Sequence, residues 1–258
     1  MTEIRLLLTA VQYFTRIRVP AWVGHAPERL TGAVRYFPAI GLIVGASGAA
    51  VMWLAALALP SPLPAILSTA VTILMTGAIH EDGLADTADG LGGGATRERV
   101  LEIMKDPRIG VFGALALILM LLLKIATLSL MPLWAAMAAL VAAHAFSRFC
   151  AVLVIFAGRY VGSADRSRSA PVVERVKIGD VIIAALFGLP ALALCGPRVI
   201  GAIAVALMLV AVLWRWCVQR IGGYTGDTLG ATQQVAICHH MSNALLSFRV
   251  LSNFTEPV

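Results

Sequence analysis

Charged side chains make up only 13% of the 258 residues and aromatic ones only 7%. A soluble globular chain is about 25% charged, so a water-soluble monomer is excluded. Lysine is nearly missing, with Lys105, Lys124 and Lys177 the only three among 20 basic residues. The four cysteines, Cys150, Cys195, Cys217 and Cys238, are scattered through apolar surroundings without a C-x2-C pair, which argues against a disulfide framework and against zinc. The N-terminus has no basic region, short apolar core and small-residue cleavage site in succession, so it is expected to be retained. No repeat, low-complexity tract or long polar stretch divides the chain, and a single membrane domain over 1–258 is expected. The formal charge of +6 is spread over short loops. A nucleic-acid partner would call for a basic stripe with interleaved aromatics, and none is expected.

What the chain has in excess is apolar surface, with 59% hydrophobic residues and a mean hydropathy of +0.87. This predicts an all-α polytopic membrane protein whose first partner is the lipid bilayer. Ile4, Leu7, Leu8, Val11 and Phe14 form one stripe over 4–14, the pattern of an amphipathic interfacial helix, expected to end by Pro20. Six spans follow at about 38–59, 63–80, 109–130, 133–157, 178–195 and 198–218, most near the ~20 residues a bilayer needs. A seventh, 228–250, is interrupted by Gln233, Gln234, His239, His240 and Asn243, and reads either as a span or as a half-inserted or interfacial helix. Basic residues occupy every second connection: Arg97, Arg99, Lys105 and Arg108; then Arg159, Arg166, Arg168, Arg175 and Lys177; then Arg215 and Arg220. The positive-inside rule puts these loops and the N-terminus in the cytoplasm.

Acids are scarce, 14 in all, yet Glu81, Asp82, Asp86 and Asp89 fall within nine positions. If the second helix continues through them, Asp82, Asp86 and Asp89 stand at i, i+4 and i+7 and share a face. Carboxylates this close repel one another unless a cation is present. All-oxygen donors favour Mg²⁺ or Mn²⁺ over zinc, and Glu81 is a further candidate ligand. A solvated acidic helix end without a ligand is the alternative. Gly92, Gly93 and Gly94 follow directly, either as a backbone that lets a phosphate approach or as a plain hinge.

In the stretch 102–110, Lys105 and Arg108 are candidate diphosphate ligands and Asp106 a candidate ligand or base, although an ordinary cytoplasmic loop would hold similar cations. At 222–230, Asp227 is read evenly as a helix cap or as a metal or phosphate ligand. His144 and Arg148 share a face of the fourth span, where Arg148 serves substrate contact or structural pairing. Arg166 to Ser169 read as a topology signal, and His239 with His240 as interfacial rather than metal-binding.

Three motifs together carry a resemblance: His80-Glu-Asp-Gly-Leu-Ala-Asp-Thr-Ala-Asp-Gly90, Glu102-Ile-Met-Lys-Asp-Pro-Arg-Ile-Gly110 and Gly222-Gly-Tyr-Thr-Gly-Asp-Thr-Leu-Gly-Ala231. In order and spacing the chain resembles the cobalamin synthase family, the adenosylcobinamide-GDP ribazoletransferases, from the N-terminal helix to about Ala231. Membership implies an enzyme of the bacterial inner membrane that joins adenosylcobinamide-GDP to α-ribazole or its 5′-phosphate and releases GMP in a Mg²⁺-dependent reaction. Beyond Ala231 the chain has Gln233, Gln234 and Ile237 where family members commonly carry glutamates, and no functional residue is assigned there.

Motifs and resemblance meet in phosphoryl transfer, which rests on positioning and electrostatics. Asp82, Asp86 and Asp89, with Glu81 and Asp227 in reserve, are expected to hold the metal. Lys105, Arg108, Arg148 and the backbone of Gly92 and Gly93 are expected to bind substrate, and Asp89, Asp106 or His80 to take the hydroxyl proton. Oligomeric state is left open, a homo-oligomer included. Two other readings compete. Asp86-Thr-Ala-Asp89-Gly90 matches the opening of the D-x2-D-G-x2-A-R motif of CDP-alcohol phosphatidyltransferases, but Gly93-Gly94 replaces Ala-Arg and the later G-x3-D-x3-D is missing. An ion-coupled transporter would need repeated halves and polar groups near the midplane.

Overall fold

A computed structural model describes residues 2–26, 28–162, 176–195 and 199–255; the expected basic loop at 166–169, Arg175 and Arg198 lie outside the described residues. Eleven helices are described: α1 (Glu3–Phe14), α2 (Arg29–Ala33), α3 (Phe37–Ala56), α4 (Leu63–Thr76), α5 (Ile79–Gly93), α6 (Arg97–Ile103), α7 (Val111–Ser129), α8 (Leu133–Ala157), α9 (Ile178–Gly188), α10 (Val199–Ile221) and α11 (Gly226–Thr255). Among the described residues the only β pairing is an isolated parallel bridge between Tyr160 and Tyr224. Among the described residues five helical stretches are long and apolar enough to cross a membrane, or six if α4 and α5, a pair bent by 88°, count as one broken span. The protein is a polytopic all-α membrane protein.

The centre of the bundle is α8, 83% of whose most apolar stretch is buried inside the protein. Its packed surface is built of small side chains, Ala135, Ala136, Ala139, Ala142 and Ala143, each fully buried. Against it α3 presents Gly41 and Gly45 four residues apart. A Cβ at Gly41 would run into the His144 carbonyl oxygen, and one at Gly45 would lie 2.7 Å from the Leu140 carbonyl oxygen. In hydrocarbon, where apolar contact with a helix gains nothing over apolar contact with lipid, such close backbone approach drives association. The outer helices stay apolar toward lipid, as at Leu115, Leu119 and Leu122 of α7.

The expected second span, 63–80, is broken. α4 stops at Thr76 because Gly77 adopts φ 69° and Ala78 φ 59°. The Gly77 amide donates to the Leu74 carbonyl (3.2 Å) and the Ala78 amide to that of Ile73 (3.0 Å), the double bond of a glycine-terminated helix end. The Arg16 amide satisfies the Met75 carbonyl at 2.7 Å, so three of the last four carbonyls of α4 have partners inside the protein. A new helix then starts at Ile79, and the acidic motif is its body rather than an extension of α4. Gly77→Ala is expected to destabilise by about 1–2 kcal/mol, since a non-glycine residue is strained at positive φ and the added Cβ would run into the Arg16 guanidinium. Thermal unfolding in detergent measures this.

Other boundaries shift less. α1 stops at Phe14, well before Pro20, with the Thr15 hydroxyl returning to the Val11 carbonyl at 2.8 Å. Its buried side is Leu6, Ala10 and Val11, while Ile4 of the expected stripe is 64% exposed. The most consequential shift concerns 228–250. α11 packs on α5, α8, α10 and α7, and Gln233, Gln234 and His240 are buried. It is an interior helix, not an interfacial one, and its polar groups face other helices. His240 in particular lies in the interior, with Nε2 3.6 Å from Cys195 Sγ.

Candidate active site

One cavity of about 670 Å³ opens where the ends of α1, α4, α5, α6, α8 and α11 meet. Its volume falls in the range of small-molecule sites, roughly 300–1,000 Å³. Its lining includes apolar and aromatic side chains, Tyr13, Phe14, Phe37, Met104 and Tyr160 among them. It also includes His80, Asp82, Lys105, Arg148, Asp227 and Gln233, together with Arg16. All three sequence motifs therefore contribute to the lining of this cavity.

α5 and α11 bring the acids together. They approach so closely at Gly83 that a Cβ there would lie 2.7 Å from the Asp227 carbonyl oxygen and 2.9 Å from its Cα. Asp227 thus enters beside Asp82, with Asp86 half-buried one turn further along α5. Asp227 is not needed as the cap of α11. Thr225 does that work: its hydroxyl accepts from the Thr228 amide at 3.3 Å while the Thr228 hydroxyl accepts from the Thr225 amide at 2.9 Å. The Asp227 carboxylate accepts from the Thr225 hydroxyl at 3.3 Å.

The donor set fits Mg²⁺ in its usual mode. Among the described residues no three His, Cys, Asp or Glu side chains are gathered into a ready cage. Mg²⁺, however, is commonly held by one or two carboxylates plus substrate phosphates and water, and Asp82 and Asp227 offer that beside open space.

The remaining candidates divide. Asp89 is buried and both its oxygens are engaged, Oδ2 by the Gly110 amide (2.7 Å) and Oδ1 by the Gly113 amide (2.8 Å). It holds the start of α7, whose own N-cap, Gly110, has no side chain to offer. Glu81 is turned away from the cavity, with Oε1 accepting from Gln234 Nε2 at 2.7 Å. Gly92 and Gly93 form the last turn of α5 instead of a phosphate loop. Phe112 packs on Gly92 so tightly that a Cβ would sit 2.8 Å from its ring.

Asp106 and Arg108 face each other in the loop after α6, paired at 2.6 and 2.9 Å, outside the cavity lining. Hydrogen bonding from Arg108 draws the Asp106 carboxyl down to about 2, so it is ionised at neutral pH but too weak a base to compete for a proton. Of the second motif Met104 and Lys105 reach the cavity, and Lys105 is its one charged residue that does so.

Arg148 lines the cavity from α8 although it is 3% exposed. Its Nη1 donates to the His144 carbonyl at 2.9 Å. Next to it lies a polar group that sequence reasoning missed. Gln233 of α11 reaches both Arg148 and His80 with its amide oxygen toward the guanidinium, and Lys124 of α7 is buried near the Glu81 charge. Lys124 carried its own signal, a lysine inside a 19-residue apolar helix, where an ionisable group is functional or paired by default. Gln233 and Gln234 had only the weaker signal of amides in an otherwise apolar run. Arg16, two residues past the end of α1, lines the cavity beside Gly77.

Comparison with known proteins agrees with the motifs. The family model described as cobalamin-5-phosphate synthase matches residues 6–242, so the similarity continues past Ala231 through Gln233 and Gln234. The chain is 44% identical over 244 residues to a protein of Leptothrix cholodnii named adenosylcobinamide-GDP ribazoletransferase, covering 90% of this chain and 92% of that one. It is 48% identical over 233 residues to a protein of the same name from Ralstonia pickettii, covering 89% and 90%. A third, from Shewanella frigidimarina, is 43% identical over 246 residues and covers 93% and 94%. No solved structure matches. On the extent of the family match and of these relatives, the chain belongs to the cobalamin-5-phosphate synthase family.

Proposed function

We propose that this chain is an adenosylcobinamide-GDP ribazoletransferase of the bacterial inner membrane, with its cavity open to the cytoplasm. It would join the adenosylcobinamide phosphate to a hydroxyl of α-ribazole, or of its 5′-phosphate, with release of GMP. The observation that carries this reading is the meeting of residues from all three motifs, Asp82, Lys105 and Asp227 among them, in the lining of one cavity. The relatives' shared name supplies the substrates.

The division of labour follows from charge. Asp82 and Asp227, joined by Asp86, hold Mg²⁺, with Mn²⁺ as the alternative; when bound it neutralises diphosphate oxygens. Arg16, Lys105 and Arg148 bind the same diphosphate from the cationic side and lower the cost of bringing its charge into a partly apolar cavity. The aromatic lining of Tyr13, Phe37 and Tyr160 receives a heterocyclic base by stacking. The bulky corrinoid stays at the mouth. The attacking hydroxyl loses its proton to the cavity carboxylate least committed to the metal.

The direct test uses the purified protein in detergent with adenosylcobinamide-GDP, α-ribazole and Mg²⁺. GMP and a corrinoid carrying the ribazole are expected in equal amounts. EDTA should stop the reaction and excess Mg²⁺ restore it. Full turnover without divalent metal would overturn the metal assignment, and failure to release GMP would overturn the function.

A further inference from the structure

The position of one proton in the cavity wall is fixed by a relay of hydrogen bonds. The guanidinium of Arg148 has donors only. The amide of Gln233 must therefore turn its oxygen toward it, where it accepts from Nη1 and Nε, each at 3.0 Å. That orientation places the Gln233 amide nitrogen 2.6 Å from Nε2 of His80. The nitrogen donates, so Nε2 accepts. An accepting ring nitrogen carries no hydrogen, and the neutral imidazole then has its proton on Nδ1.

The relay has little freedom to rearrange. Arg148 is further anchored through Nη1, which also donates to the His144 carbonyl at 2.9 Å. His80, Arg148 and Gln233 are 9%, 3% and 2% exposed. Placing the His80 proton on Nε2 would set N–H against N–H on one side of Gln233, or, with the amide reversed, on the other. A buried donor left facing a donor forfeits its hydrogen bond with no water to replace it.

We propose that His80 serves the transfer reaction as a hydrogen-bond donor through Nδ1–H, preset by Gln233 and Arg148, and not as the base. His80 lines the cavity, where an N–H suits a phosphate oxygen that gains negative charge as the nucleotide leaves. Gln233 is a positioning residue: it reaches His80 and holds the tautomer. The role in transfer rests on the function proposed above, whereas the tautomer does not.

The test separates the two. In full-length protein labelled with ¹⁵N-histidine, long-range ¹H–¹⁵N correlation reports which ring nitrogen carries hydrogen, and loss of one spin system in His80→Asn assigns it. Nδ1–H is expected in the wild type. In Gln233→Glu, whose carboxylate only accepts, the proton should appear on Nε2. For activity, Asn can place an N–H near the position of Nδ1, so His80→Asn is expected to keep transfer within about tenfold, whereas His80→Ala loses about 100-fold. A wild-type proton on Nε2 would overturn the relay. His80→Asn as inactive as His80→Ala would overturn the donor role even with the tautomer as expected.

Discussion

Replacing Asp82 or Asp227 with Asn should lower transfer activity about 100-fold or more while leaving thermal stability within about 0.5 kcal/mol of wild type. Each change removes a negative charge from the cavity and preserves side-chain volume. For Asp227 the outcome separates two roles. A helix cap tolerates Asn nearly as well as Asp, and here the cap is Thr225 in any case, so a stability loss has no structural source. The activity loss should be accompanied by weaker Mg²⁺ binding, read as a rightward shift of the metal titration. Wild-type turnover in both variants would remove these carboxylates from the reaction.

Asp89 should behave in the opposite way. Its carboxylate spans the Gly110 and Gly113 amides at the positive end of α7, and hydrogen bonds to a charged group contribute about 1.5–3 kcal/mol each. Because the two share one side chain, Asp89→Ala is expected to cost about 2–4 kcal/mol, visible as a lower midpoint in detergent unfolding. Asp89→Asn should be nearly as damaging, since it turns an NH₂ group toward an amide N–H. Activity should fall with the folded fraction, and metal affinity of the surviving protein should be kept. An Asp89→Ala variant with wild-type stability and no turnover would return this residue to the catalytic set. The contrast also bears on the phosphatidyltransferase reading of Asp86-Thr-Ala-Asp89, in which Asp89 would be a metal ligand. Here that motif spacing reflects helix capping.

The spans were legible because a bilayer imposes one length and one polarity on every crossing helix. The expected 133–157 coincides with α8 (Leu133–Ala157). The break at Gly77 was not legible, since both flanking stretches are apolar or helix-compatible and only the positive φ of Gly77 and Ala78 separates them. Asp82 could be read as a candidate from the clustering of scarce acids, whereas Asp227 stood evenly between cap and ligand, and Asp89, on the same expected stripe as Asp82, could not be told apart from it. Its partners are backbone amides 21 and 24 positions away, and a backbone amide leaves no trace in composition. Arg108 was overvalued for a related reason: its nearest anion is its own neighbour, Asp106.

Every helix against which α11 is packed, α5, α7, α8 and α10, precedes it in the chain. A segment bearing Gln233, Gln234 and His240 partitions poorly into lipid by itself, because each amide or imidazole would face hydrocarbon without a partner. Its neighbours therefore have to be in the bilayer first, arranged as a slot already lined with Glu81, Arg148 and His80. Biogenesis then has an order: translocon-mediated insertion of the apolar helices precedes docking of a polar one, and the cavity wall is complete only at the second stage. A defect confined to that stage would leave a membrane-integrated protein with its apolar helices in place and a protease-sensitive α11.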